Sequence, residues 1–74
     1  MNGVKHQAQL ELEAMIAAMN QGRDYYKQQP NLMLVEVARH AATLLAVKQY
    51  QIAFLQGYSQ ARAQHEEFLM ESDR

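Results

Sequence analysis

Tyr26-Lys27-Gln28-Gln29-Pro30-Asn31-Leu32 (residues 26–32) holds the only proline of the 74-residue chain, and the architecture follows from how that proline divides it. A proline ring disfavours helical geometry at the residue before it, here Gln29, and suits the first turn of a new helix. Residues 29–31 are therefore expected to be a turn. Upstream, Val4 to Gln28 is rich in Ala, Leu, Met, Glu and Gln, all good helix formers, and predicts helix one over about 4–28. Downstream, helix-compatible residues predict helix two over about 32–70, a rod of roughly 55 to 60 Å, with residues 71–74 as a frayed tail.

On a 100° wheel Ala8, Leu12, Met15, Ile16, Met19 and Tyr26 form one stripe of helix one, the side expected to face a core. Leu10, Ala14, Ala17 and Ala18 lie towards the other side. There the alanines either fill a solvated face or let another helix approach closely. Gly22 offers a place for helix one to end early in a left-handed cap. Tyr26 nevertheless stays in phase with Met19, so the helix is expected to run on to Gln28.

Helix two carries two apolar seams. The first is Leu34, Ala38, Ala41, Leu45, Ile52 and Leu55, flanked by Val37 and Leu44. The second, rotated by about 150°, is Val47, Tyr50, Phe54, Tyr58, Ala61, His65 and Phe68, with Leu69 beside it. Apolar character changes side near Leu44. An all-α antiparallel hairpin covers only one seam. The expected intrachain core is Leu12, Met15, Ile16 and Met19 against Leu34, Val37, Ala41, Leu44, Leu45, Ile52 and Leu55. The second seam, Val47 to Leu69, is then the expected interface with a partner protein or a second copy, in coiled-coil-like spacing. A break near Gly57 is the alternative, giving a three-helix bundle in one small domain.

The sequence argues against several functional classes. Cysteine is absent, which removes disulfides and thiolate metal sites. Net charge is −1 and the basic residues are scattered, which argues against a nucleic-acid footprint unless dimerisation gathers Arg39, Lys48 and Arg62. No apolar run approaches the ~20 residues that span a bilayer, so the expected residence is cytoplasmic. Glu36 and His40 lie four apart, enough for a surface pair but too few for a metal. His65 in the second seam is a candidate pH-responsive edge residue, while His6 lies near the terminus. Ser59 and Thr43 have no His and acid arrangement to activate them, and the glycines are isolated. No catalytic residue, metal or cofactor is expected.

In size and layout, a short cysteine-free chain with helices about a proline turn resembles the small cytoplasmic co-chaperones of type III secretion needle subunits. Many phage and bacterial regulators share that outline. The expectation is a non-enzymatic adaptor, inhibitor or co-chaperone-like module, or a homodimeric bundle with a structural or regulatory role.

Overall fold

The computed structural model describes the backbone of residues 2–72 and side chains at 6–67 and 69. The described residues are all-helical, with three helices in the order α1 (Asn2–Gln28), α2 (Leu34–Leu44) and α3 (Lys48–Ser72). Helix one and its stop are where the sequence places them. α1 runs through Gly22, and at its end the Gln29 N–H donates to Tyr25 O at 2.8 Å before Pro30. The turn is longer than expected, because α2 begins only at Leu34. Met33 is its N-cap, and the Glu36 carboxylate reaches back to accept the Met33 N–H at 2.8 Å. That contact satisfies one of the unpaired donors of the first turn.

Helix two is not one rod. It stops at Leu44, Leu45 adopts an extended conformation (φ −127, ψ 125), and α3 starts at Lys48. No glycine or proline marks this break, and the helix continues through Gly57. Local polar contacts close the corner instead. Thr43 Oγ donates to His40 O at 2.6 Å, and Gln51 Nε2 donates to Leu45 O at 2.7 Å. Such contacts compete with helical pairing. At its far end α3 continues to Ser72, so residues 71 and 72 are helical; 73 and 74 lie outside the described residues.

The break reverses the expected topology. A Cβ added at Gly57 would strike the carbonyl of Met19, and one at Gly22 would strike the carbonyl of Phe54. Further along, Tyr26 reaches His65 and the Gln29 carbonyl reaches Tyr58. Higher numbers on α1 therefore meet higher numbers on α3, and these two helices run in the same direction. α2 is the short return between them. It lies on α3 and meets α1 through side chains, with the Tyr25 and His40 rings stacked at 4.1 Å and 5°.

Small residues make the α1–α3 contact possible. Ala14, Ala18 and Gly22 recur every four residues on α1, as do Ala53, Gly57 and Ala61 on α3. Ala18 and Ala53 are buried, and each glycine is pressed against the other helix's backbone. Small residues at four-residue spacing allow helix axes to approach closely. Of the alanines on that side of α1, Ala18 is buried at the close approach and Ala14 is half-buried, while Ala17 stays on a solvated face.

The core differs from the one expected. Phe54 (1% exposed) and Tyr58 (0%) fill it, together with Tyr26, Val37 and Ala41. Of the expected core, Val37 and Ala41 are fully buried, and Met15, Met19, Leu45 and Leu55 are partly so. Leu12, Ile16, Leu34, Leu44 and Ile52 are exposed, Leu12 at 58% and Ile52 at 51%. The cause is the break at residues 45–47. Ending α2 there frees the second seam to turn inward onto α1, and the larger rings of that seam take the centre.

Candidate interaction surface

Tyr58 organises the end of the molecule where α1 gives way to α2. Its hydroxyl donates to Gln29 O at 2.6 Å and accepts the Leu32 N–H at 3.2 Å. The Arg62 guanidinium lies over its ring, 5.2 Å from the centroid, and donates to Leu32 O at 2.9 Å. Backbone groups of the turn are thereby paired. Tyr26 packs edge-on against Tyr58 at 5.4 Å, and its hydroxyl pairs with His65 Nδ1 at 2.7 Å. These aromatic residues are structural.

The seam expected to receive a partner is accordingly divided. Phe54 and Tyr58 lie in the core, Tyr50 and Ala61 are half-buried, and Val47, His65 and Leu69 are exposed. The side chain of Phe68 lies outside the described residues. An interface built on Phe54 and Tyr58 is ruled out, because both are already covered by α1 and α2. Glu36 and His40 are likewise engaged separately, the first in the N-cap of α2 and the second in the stack on Tyr25. Among the described residues no three His, Asp or Glu groups converge to hold a metal ion. Among the described residues no helix is long and apolar enough to cross a membrane.

What the fold leaves uncovered is a different set of apolar side chains. Leu10, Leu12 and Ile16 of α1, Met33, Leu34, Val35 and Leu44 around α2, and Val47, Ile52 and Leu69 on or beside α3 are all exposed. Two clefts accompany them. One, of about 330 Å³, lies between α1 and α2 and is floored by Tyr25, His40 and Phe54. The other, of about 560 Å³, lies between α1 and α3 and is lined by apolar Tyr26, Pro30 and Ala61 together with Arg23, Lys27, Gln64 and His65. Arg23 is held in place by Gln60, whose Oε1 accepts from Nη2 at 2.7 Å.

The molecule is elongated, 55 × 26 × 15 Å, with a radius of gyration of 14.7 Å, against about 11 Å expected for a compact domain of this length. Its two long helices are staggered. Residues 6–13 of α1 and 63–67 of α3 are exposed throughout, at opposite ends. The chain exposes 5787 Å², about 1,100 Å² more than surface scaling gives for a compact 8.5 kDa protein.

Comparison with protein-family models, with curated proteins and with solved structures finds no match.

Proposed function

We propose that this chain is a non-enzymatic protein-interaction module, an adaptor or regulator that works by laying its exposed apolar helix faces against another polypeptide. The observation that carries this is the mismatch between core and exterior. Among the described residues, seven apolar residues are buried, while ten large apolar side chains stand exposed at 43% or more. Chains of this size bury a modest fraction of their surface and gain stability from assembly.

What the polar side chains do favours binding over catalysis. Tyr58 and Arg62 hold backbone groups of the turn after α1, and Arg23 is held by Gln60. A homodimeric bundle with a structural or regulatory role is the second form of the same proposal, favoured by the elongated shape. Light scattering behind a sizing column, combined with affinity capture by the tagged chain, tests both. Self-association or one stoichiometric, saturable partner is expected. A chain that stays monomeric at all concentrations, melts cooperatively and retains no partner is not an interaction module.

A further inference from the structure

Along α1 the residues Leu12, Ile16, Met19, Arg23 and Tyr26 recur at steps of four, three, four and three. This is the spacing of a coiled-coil seam. Its first half is a bare ridge, with Leu12 58% and Ile16 50% exposed and Glu13 exposed beside them. Its second half borders the larger cleft, whose lining combines Tyr26, Pro30 and Ala61 with the cations Arg23 and Lys27. Ridge and cleft therefore share one helix face. One is apolar and acidic, the other apolar, concave and cationic.

We infer that the occupant of this face is a second copy of the chain, docked antiparallel along α1 about a twofold axis near Met19 and Asn20. This rests on the reading of the chain as an interaction module and names its partner. A twofold contact requires a surface to be its own complement, and this face meets that requirement. Antiparallel pairing about residues 19 and 20 sets Ile16 against the partner copy's Arg23 position and Leu12 into the cleft beside Lys27. Glu13 and Lys27 lie on the same edge of the face, so each Glu13 meets a Lys27 across the axis, twice per dimer. A heterologous partner would have no reason to need both halves on one helix.

Ridge insertion covers Leu12 and Ile16, which the monomer leaves wet.

The test uses the full chain in light scattering and sedimentation. The parent is expected at twice the 8.5 kDa chain mass. The double variant L12E/I16E, altered only at exposed positions, is expected to be a helical monomer. E13K and K27E, each alone, place like charges at both contacts and are expected to weaken the dimer about tenfold at low salt. Mixed together, they pair opposite charges again, and the mixture is expected to recover the parental strength. A monomeric parent overturns the inference, and so does a dimer indifferent to L12E/I16E whose charge variants show no recovery on mixing. A monomer that captures another protein leaves the interaction-module proposal standing; one that captures nothing removes both.

Discussion

Gly22 and Gly57 are the residues on which the α1–α3 contact depends, and neither is there for conformational freedom. Both lie inside continuous helices, where glycine costs about 1 kcal/mol relative to alanine. Each is kept small by a carbonyl of the opposite helix, so a methyl group would have to push backbone aside. Gly57→Ala and Gly22→Ala are each expected to destabilise the fold by roughly 1 to 3 kcal/mol despite the gain in helix propensity, as overpacking does. Urea unfolding followed by circular dichroism checks this. Stabilisation by alanine at either site would mean that the helices do not meet there. From sequence alone, Gly22 and Gly57 are both possible helix ends. Their four-residue spacing from Ala18, Ala53 and Ala61 was the available signal for close approach instead.

At the scale of elements, much was legible and one boundary was not. Pro30 announces its turn, and α1 follows from composition. The break at residues 45–47 lacks glycine and proline, and the contacts that close it come from Thr43 and Gln51, ordinary helix-surface residues. The sequence nonetheless carries its mark. Apolar character changes side near Leu44, and a helix whose buried face jumps by about 150° is better packed as two. Once the chain bends there, which seam faces α1 inverts, and with it the expected core and interface. Periodicity identifies faces but does not say what each face meets.

Tyr58 ties α3 to the turn that separates α1 from α2. Tyr58→Phe leaves the ring packed but strips partners from Gln29 O and Leu32 N. The expected cost is about 1 to 3 kcal/mol, with faster amide exchange at Leu32 measurable by NMR. Unaltered exchange there would show that the hydroxyl does not hold the turn.

For the whole molecule, elongation and excess surface predict that folding and assembly are linked. Mass action then makes the melting temperature depend on concentration. A tenfold increase in protein is expected to raise it by a few degrees, read by circular dichroism melts across a dilution series. A concentration-independent melt would assign all stability to the lone chain.

The backbone contact at Gly22 and Gly57 also works as a ruler. Sliding α1 along α3 would bring a side chain against a carbonyl, so the offset between the two rods is fixed by main-chain atoms and is insensitive to what their surfaces carry. That fixed offset determines how many turns each rod leaves bare at its own pole. Lengthening or shortening either tip should alter how far the molecule reaches without disturbing the joint.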